Sequence, residues 1–518
     1  MRTKRRPIIA FVTCVILFSS MVSINGLSQV PETTGEIPGL TNPMTTRYLK
    51  KNLRKSQPRL VLNRSTERLL KQKLKTDPVT RNMYEAIQLN ANEILQEPLL
   101  ERIQIGRRLL SISREMLYRM NMLGMTYRID KDPRILARIN EEIIAVCNFS
   151  DWNPSHYLDV GEMAMAMAML ESAFGTDFGH YNYPGFKESA VFKILMNTPS
   201  GRYYNFADCG DRRGAQGDIT LAWFAAKSGN ASFFEKERFL MPPEEMGRLD
   251  RLAGAALVWI AQYEEKSEEK IPITWKGEGA NPVVIFTDDQ GDDRGYYFGG
   301  KGGCSTVNHG NMNGGSFIFE LNGTRWVVDP GNQNYHTLEK TSFNLWGNCQ
   351  NCERWTLLTK NNFSHSTLTI DDKLHIVDDP ATIIDFKDGA RPEATIDLTA
   401  TFQGQLNKAH RKFTKDSPTS FFIENDIETT DSTQLITSQL IMTSDVEIVP
   451  NGAILKKNGN SLQVENMSHP NLTMSIVSFY PAPLKLDKQI EGLKRVELRI
   501  PAWTIENGKT DIKVRLSE

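Results

Sequence analysis

The feature that most constrains this chain is a change of texture near residue 270. Before it, apolar residues recur at helical spacing; after it, β-branched and aromatic residues alternate or cluster between Gly, Asn, Asp and Pro. A helical stripe and a pleated face have different periods and cannot be laid into one layer. The sequence therefore predicts an α+β protein of two domains, and its 518 residues are enough for both cores.

Helical patterns cover Thr66–Lys75, Val79–Leu95, Ile105–Tyr127, Pro133–Val146, His156–Phe174, Gly217–Lys227, Ala231–Leu240 and Met246–Glu264. With short connections, these suggest stacked helical hairpins. In GEMAMAMAMLESAF every second residue of one stretch is Met, which predicts a buried helix rather than a cofactor box. From about Ile271, segments such as SFIFEL, TRWVVD, STLTI, ATIIDF, ATIDLTATF, SFFIEND and QLITSQLIM predict an antiparallel β-sandwich. EEKSEEK and KGEGANP mark the boundary, giving a helical domain over 58–268 and a β domain over 272–518.

Charge excludes one class of partner. The 61 basic and 62 acidic residues leave a net charge of -1, so no global field draws the chain to nucleic acid or to a membrane surface. The basic run from Lys50 to Lys75 overlaps a helix and reads as its solvated face. MRTKRR followed by PIIAFVTCVILFSSMV reads as a signal peptide, residues 1–27, removed near Gly26 or Ser28. The expectation is an exported protein, periplasmic or secreted, with no stable membrane insertion after cleavage. Without Cys14, Cys147, Cys209, Cys304, Cys349 and Cys352 remain, an odd count that argues against a full disulfide framework. The C-x-x-C of Cys349 and Cys352 predicts a local disulfide or two unpaired thiols.

The most informative run is KGGCSTVNHGNMNGGSFIFELNGTRWVVDPGNQNY, residues 301–335. Its glycines allow close approach of backbone to a ligand, with Asn308, His309, Asn311 and Asn313 between them. A hairpin follows, Phe317–Leu321 and Thr324–Val328 around Asn322-Gly323, and returns Asp329 toward Asn311. With His365, which opens another strand, Asn311 and Asp329 make an N/O donor set for a divalent metal. The alternative is that His365 and Asp329 hydrogen-bond to each other or to a turn.

SDWNPSHYLDVGEMAMA, YYNFADCGD, NHGNMNGGSFIFELNGTRWVVDPGNQNY, ERW and NNFSHSTLTIDD together resemble the heparinase II/III family of polysaccharide lyases, over residues 59–375. The resemblance implies an incomplete (α/α) toroid of helical hairpins, an antiparallel β-sandwich, a cleft between them and a structural divalent metal, zinc or calcium. It implies an acidic polysaccharide substrate cleaved by β-elimination beside a uronic acid. Asn308 would bind the carboxylate, His309 would be a general base or assist one, Tyr335 would line the site, and His156 would be a further substrate contact. The metal would sit at Asn311, Asp329 and His365, although histidine often stands where this chain has Asn311.

One departure matters. Leu170 runs directly into Glu171 where such relatives carry further hairpins with the usual acid-base tyrosine, so on the order of a hundred helical residues are missing from the expected toroid. Tyr203, Tyr204 and Tyr335 are the candidates to replace that tyrosine, with packing the competing role for the first two. Two alternatives follow: a non-catalytic glycan-binding protein using the same groove, or a glycoside hydrolase with two carboxylates such as Glu162 and Asp208.

Overall fold

A computed structural model describes residues 45–105, 108–150, 160–182, 184–212, 219–288, 295–307, 309–378 and 380–518. The leader at 1–27, His156 and Asn308 lie outside the described residues. The chain divides into a helical unit, Met1–Ile194 with Gly214–Ile271, and a β unit, Leu195–Arg213 with Pro272–Glu518.

In the helical unit the main helices are Arg64–Thr76, Pro78–Ile94, Leu110–Asp130, Pro133–Cys147, Val160–Phe174, Thr220–Ser228 and Ala253–Gln262. Their starts obey local chemistry. Asn63 and Asp132 accept from the first backbone N–H groups of their helices, and Asp77 precedes Pro78 and accepts from Thr80 N at 2.9 Å. Replacing Asp77 with Ala leaves Thr80 N without its cap, an expected loss of about 1 kcal/mol measurable as a lowered urea midpoint at unchanged slope. Ala253–Gln262 is apolar all round and buried throughout Ala253–Ala261, which makes it the central helix of this unit. The methionine-rich helix buries Ala164, Met167 and Ala173.

Two expectations need correction, and one helix is new. Ala231–Leu240 is not one helix but a 3₁₀ turn, Ala231–Phe233, followed by a single α turn, Lys236–Phe239. The side chain of Asn230 accepts from both Ser232 N and Glu269 N, tying this stretch to the following loop rather than to a continuous helix. The last helix starts at Ala253 rather than Met246. A helix at Pro184–Leu195 was not expected.

Among the described residues the β unit has three antiparallel sheets. The first runs in chain order: β1 (Thr274–Gly277), β2 (Val283–Thr287), β3 (Tyr297–Lys301), β4 (Phe317–Leu321) and β5 (Thr324–Val327). The β4–β5 turn has Asn322 and Gly323 both at positive φ, 52° and 66°, as an Asn-Gly hairpin requires. The second sheet has eight strands, among them β7 (Thr382–Lys387) and β8 (Glu393–Asp397) at one end, with β9 (Leu406–Ser417) and β10 (Ser420–Thr429) long and central. The third has four strands and includes β6 (Leu368–Ile370) and β11 (Leu435–Met442). Inward residues of all three meet in one core, where Phe298, Phe317, Phe319, Phe413 and Phe421 pack ring against ring. This is the sandwich-like arrangement the alternating pattern predicts.

Leu195–Arg213 belongs with the strands although it lies between helices in sequence. Buried Arg325 holds it, donating to Thr198 Oγ1 at 3.1 Å, Tyr203 O at 2.7 Å and Asn205 Oδ1 at 2.9 Å. Tyr204 lies against Gly299, where any side chain would collide with its ring. That packing makes Tyr204 a core residue, buried with its hydroxyl unpartnered.

Candidate active site

Four backbone segments of the β unit converge on one carboxylate, Asp208. It lies in a tight turn after Tyr204, closed by Cys209 N donating to Phe206 O, with Ala207 at φ 52°. A left-handed alanine is uncommon and is tolerated where surrounding contacts over-determine it. His309 has the same feature, φ 61°, in the glycine-rich loop. The next residue must be small: a Cβ on Gly310 would come within 2.5 Å of Ser305 O. Tyr335 opens a short helix, Tyr335–Glu339, whose N-cap is Asn334. Lys360 follows the 3₁₀ turn Glu353–Thr356, and its carbonyl accepts from Met312 N at 2.9 Å, tying it to the His309 loop.

The side chains form a branched network. His309 Nδ1 is 3.0 Å from Asp208 Oδ2 and 2.7 Å from the Tyr335 hydroxyl. The Tyr335 hydroxyl donates to the same Oδ2, and the Lys360 ammonium to Oδ1. Burial raises the Asp208 carboxyl, but the His309 hydrogen bond and the Lys360 charge outweigh it and hold the group below the ordinary carboxylate value. Lys360 is the more deeply buried partner, so burial pulls its ammonium below the ordinary lysine value against the attraction of Asp208. An ionised Asp208 takes the Nδ1–H of His309 and makes Nε2 the basic nitrogen, the arrangement of a His–Asp dyad. Arg354 stands close by, donating to Gly310 O at 2.6 Å and Asn348 Oδ1 at 3.1 Å. Two cations, Lys360 and Arg354, thus act on Asp208, with Asp329 a second carboxylate within reach of Lys360.

Of the residues expected to act on substrate, the structure brings His309 and Tyr335 together; Asn308 and His156 lie outside the described residues. Asp208 entered the sequence reading only as a hydrolase carboxylate, and Lys360 not at all. Asp208 is placed by a segment that crosses into the β unit, and LLTKNN has no pattern that marks its lysine.

Two of the expected metal donors, Asp329 and His365, form a second buried pair. His365 follows a 3₁₀ turn, Asn362–Ser364, rather than opening a strand, and β6 begins at Leu368. Its Nδ1 lies 2.6 Å from Asn361 O, and its Nε2 lies 3.7 Å from Asp329 Oδ2 without a hydrogen bond. Burial holds the imidazole below the usual histidine value and so neutral. With Nδ1–H on the carbonyl, the Nε2 lone pair faces a carboxylate, which favours a cation between them. Both amide atoms of Asn311 are likewise buried and unpartnered. His365 Nε2 and the Asn311 amide oxygen fit a divalent ion, while Asp329 Oδ1 is already bonded to a turn, accepting from Gly331 N at 2.7 Å. Among the described residues no cluster of three or more His, Cys, Asp or Glu is arranged for a metal, so the amide of Asn311 would have to be the third donor. A buried ammonium, Lys301, donates to Asn313 Oδ1 at 2.6 Å, its pKa pulled down to about 8 by burial.

Comparison with known proteins bears on this domain. Residues 300–490 match the family described as heparinase II/III-like, C-terminal. Among solved structures, the chain is similar to heparan sulfate lyase HepC from Pedobacter heparinus, at 12% identity over 82% of this chain and 61% of that one, with TM-score 0.48. It is similar to the heparinase III-BT4657 gene product at 11% identity, over 90% and 72% of the two chains, with TM-score 0.49. A HepC mutant is covered over 55% of its length, so the chain spans little more than half of that structure. No curated protein matches the chain.

Proposed function

On the premise that residues 300–490 are a heparinase II/III-like C-terminal domain, we propose that this protein is an exported polysaccharide lyase that cleaves uronate-containing glycans by β-elimination. The observation that carries the proposal is the contact of His309 Nδ1 with both Asp208 and Tyr335, with Lys360 behind the carboxylate.

Elimination needs a base for the weakly acidic proton on the carbon next to the carboxylate, positive charge to stabilise the enolate that results, and an acid for the leaving oxygen. His309 Nε2 takes the proton, and Asp208 stabilises the imidazolium so formed. Lys360 and Arg354 attract the substrate carboxylate as negative charge builds on it. The electron pair of the broken C–H bond becomes the new double bond, the glycosidic C–O bond breaks, and the Tyr335 phenol supplies the proton to the departing oxygen. His309 Nε2 then releases its proton to solvent and the Tyr335 phenolate takes one up from solvent, which restores Nδ1–H on Asp208 and a basic Nε2 for the next cycle.

Asn311, Asp329 and His365 would hold a structural divalent cation, zinc or calcium. When bound, it would stiffen the loop between His309 and β4 rather than take part in the chemistry. Export is supported by the Cys349–Cys352 disulfide, a bond that persists in oxidising compartments.

The test is absorbance of the unsaturated uronate product on heparan, chondroitin and alginate. Product from at least one polymer is expected. Saturable binding with no product from any of them would assign the site to a glycan-binding protein instead, and saturated reducing ends would assign it to a hydrolase.

A further inference from the structure

We infer that Trp346 is a sugar-stacking platform at the edge of this site, held in place by the Cys349–Cys352 disulfide; the inference rests on reading the site as one for a glycan. The rings of His309 and Tyr335 are nearly parallel, 6° apart at 6.1 Å, and Trp346 stands almost perpendicular to both, at 76° and 78°. Its centroid is 5.2 Å from that of Tyr335. The three rings form a corner, and the indole is 42% exposed while the carboxylate and ammonium behind it are covered. An exposed indole beside a reacting group is costly to leave in water and well suited to the C–H face of a pyranose.

The loop that carries Trp346 is built to hold it still. Gly347 lies against the disulfide, where a Cβ would come within 2.6 Å of Cys352 Sγ. Cys349 O accepts from the Trp355 indole at 2.8 Å, and Glu353 accepts from Asn344 N at 2.7 Å. Arg354 bridges Asn348 in this loop to Gly310 beside His309. The C-x-x-C motif thereby acquires a role: it fixes an aromatic wall against the acid-base pair, with its sulfurs taking no part in chemistry.

The experiment is calorimetric titration of heparan, chondroitin and alginate oligosaccharides into wild type, Trp346→Ala, Trp346→Phe and the double variant Cys349→Ser/Cys352→Ser, with KM and kcat for any oligosaccharide that is cleaved. Trp346→Ala is expected to raise Kd and KM roughly tenfold, Trp346→Phe to restore most of the affinity, and the double serine variant to weaken binding in the same direction. Wild-type affinity in Trp346→Ala overturns the platform. The two readings fail separately: binding lost in Trp346→Ala without unsaturated product from wild type keeps the platform and removes the lyase, and undiminished cleavage by Trp346→Ala does the reverse. A wild-type protein that neither binds nor cleaves any of the three overturns both.

Discussion

His309→Asn lowers kcat/KM for elimination by about two to four orders of magnitude, the range a positioned general base contributes, and leaves thermal stability close to that of wild type. Asparagine is the informative replacement because residue 309 sits at φ 61°. Among residues other than glycine, Asn tolerates that conformation best, so the loop is not strained further, as it would be by a β-branched residue. The amide keeps a polar group near Asp208 but offers no basic nitrogen. Since His309 and Tyr335 share Asp208 Oδ2, Tyr335→Phe is the companion measurement. A phenol that protonates the leaving oxygen predicts a fall in kcat of similar size, partly recovered with substrates carrying better leaving groups. A phenol that only orients His309 predicts a smaller fall with no such recovery. Unchanged product formation by His309→Asn would remove the imidazole from the mechanism altogether.

The two-domain division was legible because hydrophobic period is a local property: the β4–β5 hairpin follows from alternation around Asn322-Gly323, and the helix at Pro78–Ile94 from the apolar spacing of Val79–Leu95. What was not legible is non-local. Asp208 is delivered to the site because Arg325, on β5, gathers Thr198, Tyr203 and Asn205 across more than a hundred residues of chain, and no window of sequence contains that gathering. The 3₁₀ turn at Ala231–Phe233 fell the other way. Its composition suits a helix, yet Asn230 accepts from Ser232 N and Glu269 N together, and a tertiary bond overrides propensity. Histidine 309 was found because glycines flank it, which is a chemical signal of close approach. Lysine 360 has no such flank and becomes significant only where it meets a carboxylate in the interior.

Lys360 is therefore the position where structure predicts most beyond sequence. Its side chain is 1% exposed and Asp208's 11%, so the pair is screened little by solvent. Replacing Lys360 with Met preserves length and volume but leaves Asp208 buried without its hydrogen-bonded cation, an expected cost of about 3–5 kcal/mol. The pH dependence has a definite sign. In wild type the Asp208 carboxyl is held below its unfolded value, so its contribution to stability is fully present above the unfolded carboxylate pKa and is lost as pH falls through the lower folded value. Removing the lysine raises the folded value, so the acid edge of stability moves to higher pH, and the acid limb of activity moves with it as Asp208 ceases to polarise His309. Adding Asp208→Asn to Lys360→Met should recover much of the lost stability, because the uncompensated charge is then gone, while leaving the protein inactive. Urea unfolding across acid pH for the two single variants and the double measures this coupling. A Lys360→Met protein as stable as wild type, with an unmoved acid edge, would mean that the carboxylate draws its stabilisation from His309 and Tyr335 alone.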